Sequence, residues 1–279
     1  MADVQDESKS ASDGAAGKTK DVIDAVTGLV KAVPIYEDLA RPAAKQLGKS
    51  LETVAKTVNM ALAPVGLMIW GYEQIQEFVS GKVAERLKNV PPEAIIQPEL
   101  NIAGPALEAL RYTGHSESLS DMYANLLAGA MDASTASQAH PAFVEIIKQL
   151  TSDEAKLMKL FVNKKIHPIL TVLESKANVG TREQLVYFST FANSAGIANL
   201  DNLPSYFNNL CRLGLTEIPE GMYLSEGNPY EELESEPIVK QNISVINRMP
   251  DTKAEIKKLI IRPSQLGQQF LRACVQSKV

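Results

Sequence analysis

The stretch Leu203-Pro-Ser-Tyr-Phe-Asn-Asn-Leu-Cys-Arg-Leu-Gly-Leu-Thr-Glu-Ile218 decides how the last part of this chain is read. Leu203 to Leu213 follows an apolar helical pattern, Gly214 stops it, and Leu215 to Ile218 has the character of a short strand. Downstream lies a long polar excursion, then a second strand-like run, Leu259-Ile260-Ile261-Arg262. A closing helix follows from Ser264 to Val275, with Leu266, Phe270 and Cys274 on one face. Upstream, Ile169 to Leu173 reads as a short strand and Arg182 to Ala195 as a helix. Helix, helix, strand, excursion, strand, helix predicts a winged-helix-like α+β domain over 166–279 with an enlarged wing.

That wing is acidic. Glu217, Glu220, Glu226, Glu231, Glu232, Glu234 and Glu236 follow one another with no Lys or Arg before Lys240. The candidate recognition helix offers Arg212 as its one cation, beside Ser205, Asn208 and Asn209. Phosphate binding needs clustered Lys and Arg, so the pattern argues against nucleic acid and for protein contact. Lys253, Lys257, Lys258, Arg262, Arg272 and Lys278 form a basic stretch that balances the wing.

Residues 18–165 predict a mainly α segment, a helical bundle with a sub-boundary at 91–100, where Pro91, Pro92 and Pro98 mark an extended linker. Apolar residues recur at helical spacing in three runs: Val22 to Val33, Leu39 to Val58, and Met68, Tyr72, Ile75, Val79 and Val83. Farther on, Pro105 suits a first helical position. Ser116 suits an N-cap ahead of Leu119, Met122, Leu126, Leu127 and Ala130, and Thr151 or Ser152 suits the next. Residues 1–17 are polar and small, and predict a disordered tail.

Of the 279 residues 45% are hydrophobic, 22% charged and 6% aromatic, and the net charge is −5, all ordinary for a helix-rich globular chain. Cys211 and Cys274 are too few for a disulfide framework and read as core thiols of a reducing compartment. No basic region followed by an apolar one opens the chain, which predicts a cytoplasmic location. The most apolar run is Met60 to Tyr72, inside sixteen uncharged residues between Lys56 and Glu73. As helix these span about 24 Å, short of a hydrocarbon core of roughly 30 Å, and Pro64 and Gly66 interrupt them. The run is read as a buried hairpin or kinked helix. Docking at the inner membrane, through Leu67, Met68, Ile69, Trp70 and Tyr72, is the alternative, and the same residues are candidates for a protein partner.

Chemistry-bearing motifs are missing. Gly17-Lys18-Thr19 resembles the end of a phosphate loop, but Ser12 stands where that loop needs Gly. His115, His140 and His167 have no companion at metal-ligand spacing, and no GxSxG occurs. Asp153-Glu154 stands at a helix start, where the dipole accounts for it. No catalytic residue, metal, cofactor or small-molecule substrate is expected. A hydrolase or nuclease would need carboxylates converging from distant helices.

Asn101 to Asp132, NIAGPALEALRYTGHSESLSDMYANLLAGAMD, and the following AHPAFVEIIKQLTSDEAKLMK closely resemble the bacterial abortive infection alpha family. WGYEQIQEF, LKNVPPE, LPSYFNNLCRLGL and SQLGQQFLRAC extend the resemblance over about 35–275. It implies a role in phage defence, in which an infected cell stops growing or dies before progeny are released. The family supplies no catalytic residues. Arg111, Tyr112, Tyr123, Asn125, Asp132 and His140 are the polar motif positions, read as capping and inter-helix hydrogen-bonding groups, with partner contact as the alternative. The expectation is a defence factor acting without catalysis through protein contacts or self-association, with membrane engagement as the alternative use of the apolar run. A nucleic-acid-binding regulator is the second reading.

Overall fold

The computed structural model of the protein describes residues 71–277. The expected tail, the first two helical runs and the apolar segment up to Trp70 lie outside the described residues. The chain divides into two compact units. Of the described residues, 71–115 and 123–144 belong to one and 116–122 and 145–277 to the other.

In the first unit the third apolar run is helical from Tyr72 on, as its spacing predicts, and Met68 lies outside the described residues. Helix α1 (Tyr72–Phe78) passes through a π turn (Val79–Val83) into α2 (Ala84–Leu87), and Ile75, Val79 and Val83 are buried. Pro91 and Pro92 end the helix, since neither can donate to the preceding turn. The chain then runs as a short 3-10 turn (Pro92–Ala94) into extended backbone. There the Ile96 N–H donates to the Met131 carbonyl at 2.8 Å, and the Ala133 N–H donates to the Ala94 carbonyl at 2.8 Å. Helix α3 spans Leu100–Thr113, so Pro105 lies inside it and not at its first position. The Ile102 and Ala103 N–H groups donate to the Glu99 carbonyl and build a turn ahead of the ring. The bond that Pro105 cannot make leaves the carbonyl of Asn101, an exposed residue that water reaches.

Helix α4 (Glu117–Met131) buries Leu119, Met122, Leu126, Leu127 and Ala130, as the pattern predicts, and α5 follows over Pro141–Lys148. Helix α6 (Ser152–Asn163) opens on a capping box. The Thr151 hydroxyl accepts from the Glu154 N–H at 3.1 Å, and the Glu154 carboxylate accepts from the Thr151 N–H at 2.7 Å.

The second unit holds a four-stranded antiparallel sheet in the order β2-β1-β4-β3, from β1 (His167–Lys176), β2 (Gly180–Phe188), β3 (Thr216–Glu217) and β4 (Thr252–Pro263). Here the winged-helix expectation gives way. Its first helix, Arg182 to Ala195, is strand β2 followed by a 3-10 turn (Phe191–Ala195). The cause is the hairpin. Asn178 and Gly180 take positive φ of 63° and 127°, folding β2 back onto β1, and the pairing outweighs the helix preference of Arg182, Glu183 and Gln184. The wing is not a loop. It contains α8 (Tyr230–Ser235) and α9 (Pro237–Arg248), with α7 (Leu203–Arg212) ahead of β3.

Gly214 stops α7 with φ of 71°. The Leu215 N–H returns to the Leu210 carbonyl at 2.9 Å and the Gly214 N–H to that of Cys211, closing the last turn. The chain ends in α10 (Gln265–Phe270) and a π turn (Leu271–Val275), where Phe270 and Cys274 are buried but Leu266 is not.

Leu170 and Val172 of β1 pack with Tyr230, Leu233, Val239 and Ile246 of α8 and α9 into one core. Tyr230 ties it together: its phenol donates to the Leu259 carbonyl at 2.8 Å and accepts from the Leu224 N–H at 3.1 Å. Tyr230→Phe leaves both groups without a partner while keeping the ring. It is expected to lower the unfolding free energy by about 1–3 kcal/mol, read from the urea midpoint at unchanged slope.

Candidate functional site

The polar motif positions divide by burial. Arg111, Tyr123, Asn125 and Asp132 are buried, whereas Tyr112 is 45% exposed and His140 lies at the surface. Asn125 of α4 accepts from Arg86 Nε, and Arg86 in turn donates to the Lys82 carbonyl at 2.8 Å, so one arginine joins α2 to α4. Asp132 accepts from the Ser134 N–H at 2.9 Å and the Ser134 hydroxyl at 2.6 Å, fixing the turn after α4. His140 Nδ1 accepts from the Ala142 N–H at 3.1 Å and so caps α5. The Arg111 guanidinium stands 6.0 Å from the Tyr112 ring centre. Of these contacts, the one between Arg86 and Asn125 joins two helices and the one from Ala142 to His140 caps a helix. Leu67, Met68, Ile69 and Trp70 lie outside the described residues, and Tyr72 is the first residue of α1.

The candidate recognition helix spends Tyr206, Asn209 and Arg212 on contacts within the second unit, while Ser205 and Asn208 are exposed. Arg212 donates to Asn209 Oδ1 at 2.7 Å and to Gln149 Oε1 at 3.1 Å, and Asn209 donates to Glu154 Oε1 at 2.7 Å. Asp153 receives the Lys156 ammonium at 3.0 Å, the Ala198 N–H at 3.1 Å and the Tyr206 hydroxyl at 3.2 Å. Burial pushes its carboxyl up, but these donors outweigh burial and hold the pKa below the ordinary value. Burial raises the Cys211 and Cys274 thiols, which disfavours the reactive thiolate.

A cleft of about 690 Å³ opens in the second unit. One part of its lining comes from the end of α6 and the start of β1, another from the turn after β2, and the rest from the loop into α8 and from α8 itself. His167 belongs to the lining and is only 6% exposed. Its ring stacks on Phe191 at 4.0 Å and 18°, meets Phe161 edge-on at 5.3 Å, and Phe191 stacks on Phe207 at 5.8 Å.

Burial, then the positive charge of Lys164, lowers the His167 pKa to about 4 against the raising effect of the Lys164 and Leu160 carbonyls. The imidazole is therefore neutral near pH 7 and a weak base there. Its Nε2 is buried without a hydrogen-bond partner. Lys164, Glu232 and Glu236 also line the cleft, and among the described residues none of the three is ion-paired, whereas neighbouring Glu234 pairs with Lys258 at 2.8 Å. No group of His, Cys, Asp and Glu able to hold a metal occurs among the described residues.

Sequence reasoning missed this cleft. His167 looked isolated and the glutamates looked like a solvated wing, because their proximity arises only when α8 packs on β1. The signal present was His167-Pro168 at the head of a strand.

The family model described as abortive infection alpha matches residues 71–274, nearly all of the described chain. The chain belongs to the abortive infection alpha family. For this family member the polar motif and the cleft both fall within the matched residues. Membership links the chain to abortive infection and so to phage defence. A solved structure of an uncharacterized protein from the hydrocarbon-degrading marine bacterium Alcanivorax borkumensis SK2 is 25% identical. It covers 47% of this abortive infection alpha chain and 92% of its own, with a TM-score of 0.33. No curated protein matches. No helix among the described residues is long and apolar enough to cross a membrane.

Proposed function

We propose that this protein is a phage-defence factor of the abortive-infection type that acts without catalysis, through contacts with other proteins or with further copies of itself. The family match over 71–274 carries the reading. Three features support its non-catalytic part. Asn125, Asp132 and His140 serve as structural hydrogen-bonding groups, both thiols are raised, and His167 is a weak base near neutrality.

Expression in a phage-sensitive bacterial host is expected to lower plaque formation, with infected cells ceasing growth before release of progeny. Unchanged plaquing across a broad phage panel counts against the proposal. The apolar run before α1 supports a membrane contact in addition. The protein then enters the membrane fraction, and Leu67→Glu with Ile69→Glu releases it. Recovery in the soluble fraction alone, both before and during infection, removes that clause.

A further inference from the structure

We propose that the cleft in the second unit binds a small zwitterion, an ammonium and a carboxylate on a hydrogen-bonding body of about tripeptide size. Its volume of about 690 Å³ falls in the range of sites for small molecules, 300–1,000 Å³. Its charges are the sharper clue. Lys164 comes from the end of α6, and Glu232 and Glu236 come from the α8 segment. All three line one cleft, and none is spent on an ion pair among the described residues.

A cation and two carboxylates lining the same cleft suit a ligand with both signs, whose carboxylate meets Lys164 and whose ammonium meets the glutamates. A purely anionic ligand would face Glu232 and Glu236, and a purely cationic one would face Lys164. His167 adds the second observation. Neutral imidazole carries one acceptor nitrogen, and the Lys164 and Leu160 carbonyls facing the ring favour a proton on a nitrogen toward them. Nε2 is buried and has no hydrogen-bond partner within the fold, which leaves an unsatisfied polar atom on a residue that lines the cleft.

The turn at the lip has a left-handed backbone. Gly227 and Asn228 both take positive φ, 71° and 43°, and Asn228 donates to Glu231 Oε2 at 3.3 Å.

The test is calorimetry on the full-length protein with triglycine, trialanine and triserine as zwitterions. N-acetyl-triglycine, which lacks the ammonium, and triglycinamide, which lacks the carboxylate, are the comparisons. At least one zwitterion is expected to bind, and each comparison ligand about tenfold more weakly, the change produced by losing one charge-assisted hydrogen bond. Glu232→Gln with Glu236→Gln should erase the preference for the ammonium, and Lys164→Met the preference for the carboxylate. Lys164 and Glu232 are exposed and Glu236 half-buried, so an unchanged unfolding midpoint certifies each variant. Failure of all three zwitterions to bind at about 10 mM, a free energy under 3 kcal/mol, overturns the proposal. So does binding that neither charge variant alters. Plaque assays on the same variants read the defence role separately, because loss of ligand binding and loss of protection are independent measurements.

Discussion

Gly267→Ala is expected to lower the stability of the second unit by about 3–5 kcal/mol, seen as a large drop in the urea midpoint. A Cβ built on Gly267 would stand 1.8 Å from the Leu215 carbonyl oxygen and 2.8 Å from its carbon. Both are backbone atoms, so no side chain can swing away. The carbonyl cannot retreat either, since it accepts the Ser264 N–H at 3.0 Å, while Ser264 Oγ donates to the Gly214 carbonyl and accepts the Gly267 N–H at 2.9 Å. Helix α10 thus starts against the turn that closes α7, and only a residue without a side chain permits that approach. Gly81→Ala serves as the control. Nothing lies within 4 Å of its added methyl group, and the change should be neutral or stabilise by about 0.5–1 kcal/mol. Equal midpoints for the two variants would show that α10 does not dock as described.

Acid is expected to weaken the fold by about 3 kcal/mol between pH 6.5 and 4 through His167 alone. The unfolded chain binds that proton at the ordinary value of 6.5, the folded chain only at about 4. Between these values the unfolded state carries more protons, so stability rises with pH across the window. It is complete above pH 6.5 and lost as pH falls through 4. Asp153, whose carboxyl is also held low, acts in the same direction, but its contribution is present above its ordinary value of 3.8 and is lost only below that, so the two separate along the pH axis. His167→Phe keeps a ring against Phe191 and removes the titration, and its urea midpoint should be flat from pH 6.5 to 4. Lys164→Met removes the nearby charge, raises the folded pKa and shrinks the loss. An unaltered pH profile in His167→Phe would place the acid sensitivity elsewhere.

Local interactions made much of this chain legible. Helices α4 and α6 and the stop at Gly214 follow from apolar spacing, from Thr151 with Glu154, and from the conformational freedom of glycine, all of which operate within a few residues. Cys274 and Phe270 also fell on the buried face assigned to them. The segment from Arg182 to Ala195 was misread because its helix-competent residues are overruled by pairing with β1, a long-range interaction that no local window contains. Pro105 was placed at a helix start, yet the turn ahead of it forms from the Glu99 carbonyl, whose two bonds do not depend on the proline nitrogen.

The sequence by itself therefore determined the helix-rich character, the capping box at Thr151, the polar motif and the family, because each is written in neighbouring residues. Only the tertiary structure decided that the glutamate-rich excursion would form α8 and α9, and that its charges would meet Lys164 and His167 in one cleft. It alone also decided that Gly267 would lie against Leu215. Those outcomes join residues some 50 or more positions apart, where chain-closure entropy opposes contact and only the burial of the shared core at Leu170, Tyr230 and Val239 offsets it.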